Sequence, residues 1–397
     1  MTLRQKIEQE IRARGPIPFS RYMELCLYEP ELGYYSRNAE QFGKAGDFYT
    51  SSDVHAVFGR LLARQFEEIW RVLGSPEQIE ILELGPGRGL FAQDVLDWSE
   101  KKFPEFFRAL HYSLAERSPA LRQRLEATLS KHFKSGKVSL AQPLKPPSPQ
   151  SPYGTAEAVP FHGYSRVLDA EVPIIVFANE FFDALPVEVL SPQGELRIAE
   201  KDGRLLETWH TPSADSLEFL DRYSVHPEAD ERIEATLIAQ SYMSHIAATM
   251  KRGFIIAIDY GYTREEQLAG RHRGTIAAYR QHSMSANPYE APGEQDITAH
   301  VNFTALAGAA EQNRMRVQPL LTQSPFLLGI GEHNQFADAF EECRLPQERA
   351  KVALQLKHLV TPAGMGESFH VLVASKGIDA DRVSKLSGLT FGKTAQL

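Results

Sequence analysis

Three short stretches carry residues whose types and spacing can do chemistry. Glu83, Gly85, Gly87 and Gly89 alternate in Glu-Leu-Gly-Pro-Gly-Arg-Gly; Glu116 closes the apolar alternation of Leu110, Tyr112 and Leu114; and Glu180 and Asp183 stand three apart after Val-Pro-Ile-Ile-Val-Phe-Ala-Asn. Alternate glycines give a turn unusual backbone angles and let a ligand reach bare backbone beside a helix start. The dinucleotide fingerprint G-x-G-x-x-G uses such a turn for pyrophosphate. Here the spacing is G-x-G-x-G and an acid precedes it, which suits a cation and disfavours an NAD enzyme. S-adenosylmethionine carries a sulfonium and an ammonium, so it is the ligand expected at Glu83, Gly85, Gly87 and Gly89. Glu116 falls where a doubly wound fold puts the carboxylate that holds both ribose hydroxyls. The plain alternative is a strand, turn and helix with no ligand.

The elements that must position these residues follow from periodicity. Ile79 to Glu83 is an apolar, β-branched strand, and Leu90, Phe91, Val95 and Leu96 begin a helix after the glycines. Val172 to Glu180 and Gly253 to Gly261 are nearly all apolar, as strands buried on both faces are. They end in the polar residues Asn179-Glu180 and Asp259. If the chain turns into a helix after Glu180, the spacing to Asp183 puts both carboxylates on one face. Helices are expected over Leu3 to Arg14, after Pro18 with Ser20 near the cap, over Phe58 to Leu73, from Ser118-Pro119 towards His132, over Ile233 to Met250, and over Asn302 to Gln312. Further strands are expected at Val138 to Leu140, Val317 to Leu321 and Phe369 to Ser375. Alternating strands and helices, with polar residues at strand carboxyl ends, specify a doubly wound α/β sheet.

Three organisational readings accompany this core. Residues 1–75 form a helical N-terminal region whose glycine- and aromatic-rich loop, Gly43 to Ser52, covers the cofactor, with Gly46 and Tyr49 in contact. Residues 76–376 form the main domain, with a proline-rich insertion at 142–171, antiparallel strands at 187–225, an irregular stretch at 262–300 and helices at 329–360. Residues 377–397 are a loosely ordered tail.

Composition narrows the function classes. A net charge of -8 and a pI near 5.9 argue against nucleic acid as the main partner. Cys26 and Cys343 match no metal or redox spacing, which is the usage of a reducing compartment. The histidines lack metal spacing, and no G-x-S-x-G elbow suggests a hydrolase. No apolar run reaches membrane-spanning length. Residues 1–14 mix acids with bases around a short apolar face, so the default placement is cytoplasmic.

Several stretches, taken together, resemble one family. They are Leu82-Glu-Leu-Gly-Pro-Gly-Arg-Gly89, Glu29-Pro-Glu-Leu-Gly-Tyr-Tyr35, Gly43-Lys-Ala-Gly-Asp-Phe-Tyr-Thr50, Asn179-Glu-Phe-Phe-Asp-Ala-Leu-Pro-Val187, Gly293-Glu-Gln-Asp-Ile-Thr-Ala-His-Val301 and Pro362-Ala-Gly-Met-Gly366. In this order they are similar to the MidA family of S-adenosylmethionine-dependent methyltransferases, whose mitochondrial members are complex I assembly factors that methylate an arginine of a complex I subunit. The resemblance spans most of the chain and stops at the proline-rich insertion and the tail. It implies the seven-stranded methyltransferase (Rossmann-like) variant of the sheet, with the last strand antiparallel, S-adenosyl-L-methionine as cofactor, and a protein arginine as substrate, in the mitochondrial members on a respiratory complex I subunit.

An arginine substrate gives the acids a task. Its guanidinium has a pKa above about 12 and delocalised lone pairs, so it is a poor nucleophile unless its charge is held elsewhere. Glu180 and Asp183 are the catalytic pair expected to fork around it, and Asn179 joins the cofactor set. Asp259, Asp296 and His300 are second candidates, His300 as a general base. Two other functions use the same turn: a small-molecule methyltransferase, and an assembly chaperone that binds the cofactor without catalysis.

Overall fold

The apolar runs become the middle of one large sheet. The computed structural model describes residues 1–36, 56–141, 165–168, 171–280, 283–285 and 287–391. Strands β1 (Ile79–Leu84), β2 (Leu110–Ala115), β3 (Val138–Ala141), β4 (Ile174–Asn179) and β5 (Gly253–Tyr262) run parallel. Two short pieces, β6 (Arg316–Val317) and β7 (Leu321–Thr322), stand where one strand was expected over Val317 to Leu321. Both pair antiparallel with β8 (Phe369–Lys376), which lies antiparallel along β5. The spatial order is β6 with β7, then β8, β5, β4, β1, β2 and β3. This is the doubly wound order that the family resemblance implies, with the antiparallel strand inserted near one edge.

Successive side chains on these strands enter opposite cores, as the period of a strand requires. Ile79, Ile81, Phe177 and Ile256 face helices α3 (Val57–Val72) and α4 (Leu90–Lys102), where Phe91 stacks on Phe177 at 4.5 Å between ring centroids. Leu82, Leu84, Val176 and Ala257 face the helices Leu237–Thr249 and Phe303–Gln312. The chain order reverses between β1 and β4, and Leu84 lies opposite Ala178 there. The two strand ends that carry the glycine turn and the acidic pair are therefore neighbours at the sheet's switch point, where such folds take their ligands.

A second antiparallel sheet joins Ile17–Pro18, Glu188–Ser191, Gly194–Lys201, Arg204–His210 and Ile233–Ala235. Helices α1 (Leu3–Arg14) and α2 (Phe19–Tyr28) pack on it through Ile7, Ile11, Phe19 and Met23, against Leu196 and Ile198. The N-terminal residues thus divide: α1 and α2 go to the inserted sheet, and α3 goes to the main one.

Several local expectations change. Residues 233–235 are a strand, and the helix begins only at Leu237. Ser20 does not cap α2, since its hydroxyl donates to Glu188. The stretch 262–300 holds a helix (Arg264–Leu268) and a three-stranded antiparallel sheet of Ala277–Arg280, Ser283–Ser285 and Asp296–Thr298. The tail is packed through Leu389: Val383, Leu386 and Leu389 are buried in the main core, because their apolar side chains find the groove beside α3 and the helix Gln323–Glu332. Most of the proline-rich insertion lies outside the described residues. Among the described residues no helix is long and apolar enough to cross a membrane.

Candidate active site

The glycine turn leaves β1 with Gly85, Gly87 and Gly89 all in left-handed backbone, at φ of 64°, 54° and 78°. Two of the three have a packing reason as well. A Cβ on Gly85 would meet the ring of Phe181 at 3.0 Å, and one on Gly89 would meet Leu125 at 2.6 Å. The closeness expected between glycine and ligand is, at these two positions, a closeness to protein side chains. Gly89 is also the N-cap of α4, so the turn delivers a helix start to the switch point.

Glu83 and Glu116 flank this turn. Glu83 is buried in β1 and accepts the Tyr112 hydroxyl at 2.8 Å; burial, and to a lesser degree the negative charge of Glu116, push its carboxyl up to about 8. Glu116 follows β2, is also buried, and accepts the Ser118 backbone N–H at 2.7 Å. Burial raises it to about 7, against the backbone N–H groups of Ser118, Arg117 and Gly87 that favour its charge. The chemistry here is that of an acceptor set awaiting positive charge on one side and hydroxyl donors on the other.

Beyond Asn179 the chain does not become helical, so Glu180 and Asp183 do not share a helix face. Glu180 adopts φ of 51° and cannot continue a right-handed helix, and residues 180–185 form a compact turn instead. The cause lies under it. Asp259, fully buried at the end of the visible apolar run of β5, accepts three consecutive backbone N–H groups of the turn, from Phe181, Phe182 and Asp183. Asp183 is buried, which raises its carboxyl to about 7, and its Oδ1 has no hydrogen-bond partner among the described residues. Asn179 donates to Glu180 Oε1 at 3.0 Å, while its own Oδ1 is buried without a partner among the described residues.

Asp296 and the backbone of its segment are brought to the same place. The Ala299 backbone N–H donates to the Asp183 carbonyl at 3.0 Å, which ties the Asp-Ile-Thr-Ala-His segment to the turn. Tyr35 donates to Asp296 at 2.9 Å, Tyr28 donates to the Ala184 carbonyl at 2.9 Å, and the two rings stack at 5.5 Å. Tyr35 ends the stretch Glu-Leu-Gly-Tyr-Tyr and Tyr28 lies just before it; neither has a role in the sequence reading, and only the fold brings both against the acids. His300 turns into a pile of rings, stacked on Tyr260 and 3.3 Å from His272 between ring nitrogens. Burial and the two neighbouring histidines lower it to about 4, which leaves too weak a base to take a proton near neutrality. Gly46 and Tyr49, with the expected covering loop, lie outside the described residues.

The residues present fit S-adenosylmethionine. Left-handed glycines open a helix start, Glu83 offers a carboxylate that burial leaves short of positive charge, Glu116 offers one for hydroxyls, and Asn179 has an acceptor without a donor.

Comparison with known proteins agrees. Residues 61–320 match the model of a family of S-adenosyl-L-methionine-dependent methyltransferases. The chain is similar to the mitochondrial protein arginine methyltransferase NDUFAF7 homolog of Drosophila melanogaster, 28% identical over 400 residues that cover 97% of this chain and 87% of that protein. It is also 28% identical to the Homo sapiens protein arginine methyltransferase NDUFAF7, with 91% of this chain and 80% of that protein covered. Among solved structures, one from Burkholderia thailandensis bound to S-adenosyl-homocysteine aligns with a TM-score of 0.77 and 27% identity, covering 96% of this chain and 94% of that one. The names of the curated relatives place those proteins in mitochondria, and that overturns the cytoplasmic placement expected from the sequence.

Proposed function

From the premise that the chain belongs to this family of S-adenosyl-L-methionine-dependent methyltransferases and uses that cofactor, we propose that it methylates an arginine side chain of a protein. The observation that carries the reading is the pair of carboxylates, Glu180 and Asp183, on a rigid turn at the carboxyl end of β4, one strand away from the cofactor turn of β1. The names of the curated relatives support the same substrate class. The finer assignment, a subunit of respiratory complex I, rests on the family resemblance.

Bound S-adenosylmethionine supplies a methyl group carried on a positively charged sulfur. The protein's part is to hold, orient and deprotonate. Glu83 and the Gly85 to Gly89 turn receive the amino-acid end, Glu116 the ribose, and Asn179 lies between these and the substrate. Glu180 and Asp183 accept guanidinium N–H groups, fix the plane of the group and draw its positive charge towards the nitrogens they hold. The remaining nitrogen keeps more of its lone pair. Asp183, raised to about 7, is near enough to neutrality to accept the proton that must leave. Tyr28 and Tyr35 wall one side against water with their rings while their hydroxyls are spent on Ala184 and Asp296.

Labelled S-adenosylmethionine incubated with the enzyme and a cell extract tests this. The expected result is label in a protein and, by mass spectrometry, on arginine. Label confined to small molecules would overturn it.

A further inference from the structure

Asp259 is the residue on which the acidic turn hangs. Its Oδ2 accepts the backbone N–H of Phe181 at 3.2 Å, Phe182 at 2.9 Å and Asp183 at 3.3 Å, and its Oδ1 accepts that of Tyr260 at 2.9 Å. Three consecutive N–H groups directed inwards would be orphans without it, since no strand or helix partner is present for them in the turn. Glu180, immediately before, is a non-glycine residue in left-handed backbone, a conformation that persists only where the surroundings over-determine it. Two further ties complete the frame: Glu180 N–H to the Ile258 carbonyl at 3.0 Å, and Ala299 N–H to the Asp183 carbonyl at 3.0 Å.

We propose that Asp259 is the positioning residue of the substrate site: it touches no substrate, but by holding the backbone between Glu180 and Asp183 it sets where both carboxylates point. This rests on the reading of those two acids as the substrate pair. Asp259 faces Glu180 and Asp183 from below, Tyr260 follows it on β5, and His370 is its register partner on β8. Asp296, Tyr28 and Tyr35 stand on the far side of Asp183. Burial, and after it the neighbouring carboxyls of Asp183 and Glu180, raise the Asp259 carboxyl well above the usual carboxylate range, so Asp259 acts on the turn through the N–H groups it accepts and not as a fixed negative charge.

The test compares Asp259→Ala with Asp259→Asn. Asparagine keeps a carbonyl oxygen that can accept the turn's N–H groups, and alanine removes it. Three readouts are taken: amide hydrogen exchange of the segment 179–185, calorimetric affinity for S-adenosylmethionine, and the initial rate of labelled methyl incorporation into extract protein. For Asp259→Ala, exchange should accelerate about tenfold or more and the rate should fall at least about tenfold, with cofactor affinity within about threefold of wild type. For Asp259→Asn, exchange, rate and cofactor affinity should each stay within about threefold of wild type, because the acceptor oxygen that holds the turn is kept. Unchanged exchange in Asp259→Ala, or a rate in Asp259→Asn that falls about tenfold while its exchange stays as in wild type, would overturn the proposal; should the alanine variant fail to fold, the asparagine variant decides alone. Wild-type rates in Glu180→Gln and Asp183→Asn would instead remove the substrate-pair reading, while the exchange data would still report whether Asp259 holds the turn.

Discussion

The hydroxyl of Tyr112 donates to Glu83 Oε2 at 2.8 Å in the interior of the sheet, and it is the one hydrogen bond described for that carboxylate. Burial nevertheless holds the Glu83 carboxyl up to about 8. An acid whose folded pKa lies above its unfolded value keeps a proton that the unfolded chain releases, so the ligand-free protein loses stability as pH rises from about 5 to 8. A cationic ligand beside Glu83 reverses that by favouring the charged form. Affinity for S-adenosylmethionine should therefore rise by up to about fiftyfold between pH 6 and pH 8, with proton release on binding. Isothermal titration in buffers of different ionisation enthalpy measures both, and Glu83→Gln should flatten the dependence.

Gly87 is left-handed and its backbone N–H faces Glu116 across the turn. Gly87→Val would put a branched side chain where the cofactor meets bare backbone. Left-handed backbone costs a non-glycine residue about 1–2 kcal/mol, a loss of a few degrees in Tm for a chain of this size. Cofactor affinity should fall about a hundredfold or more while the melting transition stays cooperative; unchanged calorimetric affinity would remove the ligand from this turn.

Tyr35→Phe deletes the donor to Asp296 and keeps the ring that stacks on Tyr28. A buried carboxylate that loses a donor costs about 1–3 kcal/mol, which denaturant unfolding would register. Since Asp296 is tied to the acidic turn and not to the glycine turn, methyl incorporation should fall with cofactor affinity preserved.

Arg64 of α3 forms a forked pair with buried Asp338, which also accepts the Trp98 indole N–H at 3.2 Å and the Asn334 side-chain amide at 2.6 Å. Asp338→Ala would leave the guanidinium uncompensated between α3 and the helix Ala337–Phe340. The expected loss is about 3–5 kcal/mol of stability. Its site is remote from the cofactor turn, so affinity for S-adenosylmethionine at a temperature where the variant is folded should be unaltered.

The main sheet was legible because its strands are near-continuous apolar runs with polar residues at their ends, and Ile79 to Leu84 or Gly253 to Tyr262 admit little else. The glycine turn was legible from spacing. What sequence reasoning missed depends on partners distant in the chain. Ile233–Ala235 is too short to be read as a strand by periodicity, and pairs with Glu188–Leu190 only because the inserted sheet exists. Glu180 and Asp183 share one face only if a helix follows Glu180, a condition that nothing local in the sequence decides. The chain instead answers to Asp259, 76 residues beyond Asp183 in sequence. The role of Tyr28 and Tyr35 is likewise a tertiary fact, and the tail's buried Val383, Leu386 and Leu389 are spaced too loosely in a polar stretch to announce their packing.

The central claim is that Glu180 and Asp183 together hold a guanidinium. Charge-assisted hydrogen bonds of this kind are worth about 1.5–3 kcal/mol each. Glu180→Gln keeps the shape and removes the charge, and its rate of labelled methyl incorporation into protein, measured beside its calorimetric affinity for S-adenosylmethionine, is the most direct test. The account predicts a rate lower by about two orders of magnitude, at about 1.4 kcal/mol per tenfold, with cofactor affinity within a few-fold of wild type. A wild-type rate in that variant would contradict it.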